Sequence, residues 1–283
     1  MSHRRGPGRA YVALADALAA GTLLVDEMSD GAVVPNVLVE NAGALSALIL
    51  FGEEIGGARR GRIANATSLV APGARAMIDV SCVERGRCRH LEGRGARGDH
   101  CFASLALRRK MAAAVAAARA RSGRFRTDQS QVWDEVDERL RAARVRSTAA
   151  AYADYVESRE AALAELARSF ALLERQVGFV AALGDEILGL EVIGRPEVFA
   201  RAFGGLLRSW AVDAVEGAPA TAPPPESFGP EPHAFLEALG ATGASAPSLG
   251  PGVDLRLEAP ALSGCGLLAG DLVHLVAFAV REG

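Results

Sequence analysis

The sequence is poor in lysine, cysteine and aromatic residues, and it has no long apolar segment. Four cysteines in 283 residues are too few for a disulfide-rich secreted scaffold. The longest apolar stretches, Ala47–Phe51 and Leu272–Val280, are far shorter than the roughly 20 residues that a membrane-spanning helix needs. No signal-peptide core follows the N-terminus. We therefore expect a cytoplasmic protein with reduced cysteines and no contact with a membrane.

The charge is nearly balanced, with a formal net charge of −3. A nucleic-acid partner usually requires a strongly basic surplus, so none is expected. Only Lys110 is a lysine among the 31 basic residues, and the excess of arginine and alanine suggests a GC-rich bacterial genome. Each arginine is therefore weaker evidence for phosphate recognition than it would be in a chain of ordinary composition.

The first third, residues 1–103, predicts a β-rich module. Short alternating or β-branched runs are separated by Gly, Pro and Asn turn signals, as in a β-sandwich or an irregular barrel. These runs are Thr22–Met28, Val33–Glu40, Ala47–Phe51, Ile63–Val70 and Arg75–Val83.

Residues 104–283 predict a mostly helical region, either a second unit or one continuous domain with the first. The spacing of apolar residues predicts helices over Ser104–Arg121, Val132–Ala143, a six-turn span ending near Leu173, and a span that begins at Pro196. A hairpin (Val177–Leu183 with Ile187–Val192) and two closing strands (Val253–Glu258 and Leu272–Val280) complete the chain. The fold class expected is α+β.

The densest polar pattern follows an apolar strand. Gly52-Glu53-Glu54 is followed by Gly56-Gly57, by three arginines and by Asn65, and Ser81-Cys82-Val83-Glu84 with Arg87 comes later. Glycine lets the backbone approach a ligand, and arginine offers a planar fork for phosphate or carboxylate. The pattern indicates a site for an anionic ligand.

These two segments resemble the ARG and rhodanese-phosphatase-superfamily-associated protein family. Gly52-Glu53-Glu54, Gly57-Ala58 with Arg62 and Asn65, and Ser81-Cys82-Val83-Glu84 with Gly86-Arg87 match its pattern. The resemblance covers most of the chain and implies a link to NAD and ADP-ribose metabolism by gene association, without a catalytic mechanism. Arg60-Gly61 stands where the family pattern has Gln-Asn, and Cys88 where it has Trp, so the ligand or the activity can differ.

The catalytic candidates are Glu53, Glu54, Cys82 and Glu84. The two consecutive glutamates point to opposite faces of a strand, so they are not expected to share one site, and one can instead pair with an arginine. Cys82 is either a nucleophile or, more often for a thiol within an apolar strand, a small core residue. Glu84 lies at a strand exit and is therefore a candidate by position.

The ligand-binding candidates are Arg59, Arg60, Arg62, Asn65 and Arg87. They could hold a phosphate-bearing molecule. Alternatively, the arginines form a charged strand edge that discourages aggregation.

A zinc site is a weaker hypothesis. Cys88, His90, His100 and Cys101 offer four suitable ligand types, but adjacent His-Cys is an awkward pair and the spacing matches no common zinc finger. No metal is therefore assigned. The alternative is that these four are loop residues without a role. No cofactor is indicated by the sequence.

Two hypotheses of function follow. In the first, the chain binds or processes a phosphorylated small molecule, such as a nucleotide or an ADP-ribose derivative. In the second, it is a non-catalytic interaction protein, with a homo-oligomer as one form. The apolar stripe from Val198 to Trp210 permits the second hypothesis but is equally explained as core.

Overall fold

The computed structural model describes residues 10–26, 35–56, 61–85, 101–213, 215, 235–237, 239 and 244–280. Within these residues, thirteen strands form three sheets beside several helices, which confirms the α+β class. None of the described helices has the length and hydrophobicity that crossing a bilayer requires.

The N-terminal third consists of short strands and one short helix. They are β1 (Tyr11–Ala13), α1 (Leu14–Ala19), β2 (Leu23–Asp26), β3 (Asn36–Asn41), β4 (Ser46–Ile49), β5 (Arg62–Ala64), β6 (Ser68–Val70) and β7 (Arg75–Cys82). One sheet has the order β1-β4-β6, and an antiparallel sheet has the order β2-β3-β7-β5. Both sheets contribute to one apolar cluster that includes Val37, Ile49, Val70 and Ile78, so the module is sandwich-like, as predicted.

The remainder combines five longer helices among the described residues with the third and largest sheet. The helices are α2 (Leu105–Ser122), α3 (Gln129–Ala142), α4 (Tyr152–Ser158), α5 (Glu160–Arg168) and α6 (Pro196–Ala211). The strands are β8 (Gly178–Leu183), β9 (Glu186–Ile193), β10 (Ala244–Pro247), β11 (Val253–Ala259), β12 (Leu262–Ala269) and β13 (Asp271–Ala279). They form an antiparallel sheet in the order β10-β11-β12-β13-β9-β8, which contains the predicted hairpin and both closing strands.

The six-turn helix expected to end near Leu173 is divided and shorter. It breaks at Arg159, whose backbone (φ −106°, ψ 0°) leaves the helical conformation, and α5 ends at Arg168. The stripe is buried at Tyr155 but exposed by 68 % at Leu173. Arg159 stands where the apolar spacing of this span, between Tyr155 and Leu163, would place an apolar residue, so the helix breaks where the pattern is interrupted.

Two apolar clusters extend across residue 103. In the first, Phe51 and Ile63 belong to the same cluster as Trp210 and Phe278. In the second, Leu48 from β4 joins the buried face of α6. The apolar cores of the two predicted regions are therefore shared, whereas their division at residue 103 stays a prediction.

Candidate functional site

The two polar segments lie side by side because β5 and β7 pair antiparallel. Their register places Arg62 opposite Cys82 and Ile63 opposite Ser81. Beyond the paired strands, the Val83 amide donates to the Gly61 carbonyl at 3.1 Å. The structure therefore brings together two stretches that are distant in sequence.

Glu54 and Glu84 approach the same glycine. The Gly61 amide donates to Oε2 of Glu84 at 3.4 Å, and both glutamates are half-buried. A β-carbon added at Gly61 would lie 3.4 Å from Oε1 of Glu54 and 3.0 Å from Cγ2 of the buried Val83. Glycine at this position therefore avoids a close contact with Val83, and the two carboxylates lie beside it.

Glu53 points inward, away from this place. It is 2 % exposed, and its Oε2 accepts the Leu50 amide at 2.9 Å, so the carboxylate closes its own turn. The expectation that consecutive glutamates face opposite ways is correct for Glu53 and Glu54.

Gly52, the first residue of the same motif, has φ +80°, and a β-carbon there would lie 2.7 Å from Nε of Arg108. Two residues of the Gly-Glu-Glu motif, Gly52 and Glu53, therefore have structural roles in the local fold.

Asn65 and Arg62 are enclosed. Asn65 donates through Nδ2 to the Phe125 carbonyl at 2.9 Å, and its Oδ1 accepts the Ser81 hydroxyl at 2.7 Å. Arg62 has no exposed surface. A dissolved ligand could reach either side chain only after rearrangement, so their positions support a structural role.

Cys82 is also part of the interior. Its backbone amide donates to Oε1 of Gln129 at 2.8 Å, and Nε2 of Gln129 returns a hydrogen bond to the Cys82 carbonyl at 2.7 Å. Its Sγ donates to the Glu84 carbonyl at 3.0 Å, and the residue is 1 % exposed. Gln129 thus acts as a side-chain partner for the end of β7, two residues before Glu84.

The segment that pairs with the residues after β7 contains a residue with a strained backbone. Glu84 forms a bridge with Ala151, and the Arg85 amide donates to the Ala150 carbonyl at 3.4 Å. Ala150 has φ +46°, a left-handed conformation that costs a residue with a side chain about 1–2 kcal/mol. Backbone strain of this kind tends to gather at functional sites, where the surrounding structure maintains it.

A second buried polar cluster links the N-terminal module to the large sheet, and sequence reasoning did not find it. Arg108 and Glu191 are both fully buried and form two hydrogen bonds, at 2.8 Å and 2.5 Å. His274 Nε2 lies 2.9 Å from Glu191, and its Nδ1 lies 2.7 Å from the Thr67 hydroxyl. Trp210 Nε1 also donates to Glu191 at 2.6 Å.

Electrostatics keep Glu191 ionised in this cluster. Burial alone would raise its pKa, but the charge of Arg108 and the hydrogen bonds from His274 and Arg108 outweigh burial and lower the pKa to about 2. The rings of Phe51, Phe102 and Phe278 each lie 5.8 Å from the Arg108 guanidinium carbon. The cluster is enclosed by apolar groups, and both terminal nitrogens of Arg108 are bonded within it, whereas its buried Nε has no hydrogen-bond partner among the described residues. This arrangement indicates a structural junction.

Several candidates fall outside the described residues: Arg59, Arg60, Arg87, Cys88, His90 and His100. Cys101 is described and lies exposed at the surface. Within the described ranges, no group of three or more His, Cys, Asp and Glu side chains is placed to hold a metal ion, and three of the four proposed zinc ligands lie beyond those ranges. The zinc set therefore remains untested.

The fold and the paired strands define an α+β protein whose two motif segments meet at one strand end. The chain belongs to the family of the ARG and Rhodanese-Phosphatase-superfamily-associated Protein domain, whose model matches residues 2–278 of 283. No curated protein and no solved structure matches the chain.

Proposed function

We propose that this chain binds a phosphorylated small molecule, of the nucleotide or ADP-ribose class, at the exit of β7. The observation that carries the proposal is the approach of two carboxylates, Glu54 and Glu84, to the single glycine Gly61. Carboxylates accept hydrogen bonds from the hydroxyl groups of a ribose, and a side-chain-free glycine lets a ligand approach the backbone.

The phosphate-binding groups in this proposal are Arg59, Arg60 and Arg87. Segments 57–60 and 86–100 join the described chain at Gly61 and Arg85, and together they contain six arginines and two acidic residues. Guanidinium groups bind phosphate through paired hydrogen bonds and would offset the charge of two neighbouring carboxylates.

The remaining motif residues support the site in this proposal. The β5–β7 pairing holds Arg62 against Cys82, and Gln129 bonds to both backbone groups of Cys82. Glu54 and Glu84 are therefore the carboxylates assigned to the ligand. Localisation in the cytoplasm, where such ligands are abundant, belongs to the same proposal.

Gly61 also bears on specificity. The family pattern has asparagine at this position, but a β-carbon here would press against Val83 at 3.0 Å. Glycine leaves that space open. We infer that this chain accepts a different or larger group beside Glu54 than a member with asparagine would.

A thermal-shift panel tests the proposal, using ADP-ribose, ADP, ribose 5-phosphate and inorganic phosphate. A ligand at about 100 times its Kd stabilises the folded state by about 2.7 kcal/mol, which is several degrees in Tm. We expect Glu84→Gln to lose the response to ribose-containing ligands, and the combined replacement of Arg59, Arg60 and Arg87 by alanine to lose every response.

Matched variants on exposed helix surfaces serve as controls. Glu165→Gln repeats the change made at Glu84, and Arg121→Ala makes one arginine replacement of the same kind; both positions are exposed, and both variants should respond like the wild type. Chromatography of the nucleotide after incubation separates binding from turnover. The proposal fails if no anionic compound raises Tm, or if the Glu84 and arginine variants respond as fully as their controls.

The second hypothesis, a non-catalytic interaction protein, is not supported by the apolar stripe from Val198 to Trp210. On α6, Val198, Phe199, Ala202, Leu206 and Trp210 are buried within the apolar clusters. This stripe is core and is not available to a partner.

A further inference from the structure

The two edges of the six-stranded sheet differ in their protection against pairing with another strand. β10 has four residues and ends in Pro247, whose carbonyl accepts a hydrogen bond from Arg119. β8 has six residues, Gly178-Phe179-Val180-Ala181-Ala182-Leu183, without a charge or a proline. Within the described residues, β8 pairs with β9 alone. Proline, charge and short length are three devices that block edge pairing, and β8 has none of these three, although its pairing with β9 shifts register between Ala181 and Ala182.

Exposed apolar side chains extend along the same stretch. Val180 and Leu183 on β8 are 38 % and 41 % exposed, and Phe170, Leu172 and Leu173 just before it are 52 %, 42 % and 68 % exposed. Large exposed apolar residues that adjoin one another mark an interaction surface more often than single ones do.

Gln176 attaches this apolar segment to the strand. Its Oε1 accepts the Leu173 amide at 3.0 Å, and its Nε2 donates to the Gly178 carbonyl at 2.9 Å. The leucines are therefore held at the start of β8, and the strand with residues 170–176 forms one surface, which we call the β8 edge.

We propose that the β8 edge binds the β8 edge of a second copy of this chain, strand against strand and antiparallel. The charges at the two ends of the strand favour a second copy. Two exposed charged residues, Glu174 and Arg175, precede β8, and two, Asp185 and Glu186, follow it at the hairpin tip. Of these four residues, Arg175 is the basic one. An antiparallel two-fold pairing places the start of one strand beside the end of the other, so Arg175 of each copy approaches Asp185 of the other.

A parallel arrangement would place Arg175 beside Arg175 and Asp185 beside Asp185, which puts equal charges together. An uncharged peptide would offer neither residue an opposite charge. The self-pairing therefore uses the backbone edge for affinity, the leucines for apolar contact and the end charges for orientation.

The experiment measures the mass of the full-length protein in solution by light scattering during size-exclusion chromatography, over a range of concentrations. We expect twice the chain mass of 29.4 kDa for the wild type and a shift to the single-chain mass for Val180→Lys, which places a charge at the strand centre. Met77→Lys is the control, since it changes a side chain of similar exposure (40 %) on the interior strand β7, and it should remain dimeric. Circular dichroism verifies that each variant is folded.

A charge-exchange pair tests the orientation. Arg175→Glu alone and Asp185→Arg alone place like charges together at both ends of the pair, so each should shift toward the single-chain mass. An equimolar mixture of the two variants restores opposite charges at both ends and should recover the double mass. A wild type that is monomeric at all concentrations, or a Val180→Lys variant as dimeric as the wild type, overturns the proposal. Failure of the mixture to recover the double mass overturns the antiparallel arrangement.

Discussion

Removing one partner of the junction between Arg108 and Glu191 should cost a large part of the folding free energy, and Arg108→Met is the perturbation that tests this. Both side chains are fully buried. The carboxylate of Glu191 also accepts a hydrogen bond from Trp210 and is hydrogen-bonded to His274. Removing one partner of a buried ion pair leaves an uncompensated charge, which typically costs about 3–5 kcal/mol.

The pKa of Glu191 provides an independent magnitude. Its value falls from 4.5 to about 2 on folding, which corresponds to about 3 kcal/mol at 1.36 kcal/mol per pKa unit. Because the folded-state pKa is the lower one, this stabilisation is present above about pH 5 and is lost as the pH falls toward 2. Arg108→Met removes the main cause of the lowered pKa, so the stability gap between the variant and the wild type should narrow on acidification.

The assay is urea unfolding followed by circular dichroism, at pH 7 and at several values down to pH 3. Arg208→Met is the matched control, because Arg208 also forms two hydrogen bonds to a glutamate, Glu160, but with side chains that are 36 % and 51 % exposed. An exposed pair of this kind contributes at most about 1 kcal/mol. The double variant Arg108→Met with Glu191→Met should lose less than the sum of the two single variants, since no lone charge remains.

Two results would refute this reasoning. One is a cost below about 1 kcal/mol for Arg108→Met, equal to that of the exposed control. The other is a gap between variant and wild type that stays constant from pH 7 to pH 3, which would mean that Glu191 does not titrate as the buried pair requires.

Two further predictions concern backbone geometry, and both are measured by the same unfolding assay. Ala150→Gly should stabilise the protein by about 1 kcal/mol because it relieves φ +46°, whereas Ala113→Gly, on the exposed face of α2, should destabilise it by about 0.5–1 kcal/mol; equal signs for the two would contradict the strain. Gly52→Ala should cost more than Gly73→Ala, because both have positive φ but only the β-carbon at Gly52 would strike the Arg108 side chain, at 2.7 Å, while nothing lies within 4 Å at Gly73. Equal costs would show that Arg108 yields easily.

The elements best predicted from sequence are those whose signals are local. The hairpin of β8 and β9 follows from two apolar runs around Gly184-Asp185, and α6 begins at Pro196 as expected. The sequence did not predict β12, because Gly264 and Gly266 weaken its strand signal. The structure explains them: a β-carbon at either would lie within 2.6 Å of a carbonyl of β13.

For the candidate site, the structure shows the expected neighbourhood of the two motif segments, whereas the roles of their residues stay predictions. The motif segments do lie side by side, yet four of their candidate residues are buried: Glu53, Arg62, Asn65 and Cys82. Glu54 and Glu84 differ from these four in being half-buried. Exposure depends on which elements pack above a strand, and a motif does not contain that information.

By itself, the sequence determined the fold class, the family and the two motif segments, because strand alternation, helix periodicity and short motifs are properties of neighbouring residues. Only the tertiary structure decided which residues of those segments face outward, and only it revealed the contact between Arg108 and Glu191, which are 83 positions apart. Such a pair has no local pattern. It forms because the packing of α2 against the large sheet excludes water from both charges, and each is then stable only beside the other.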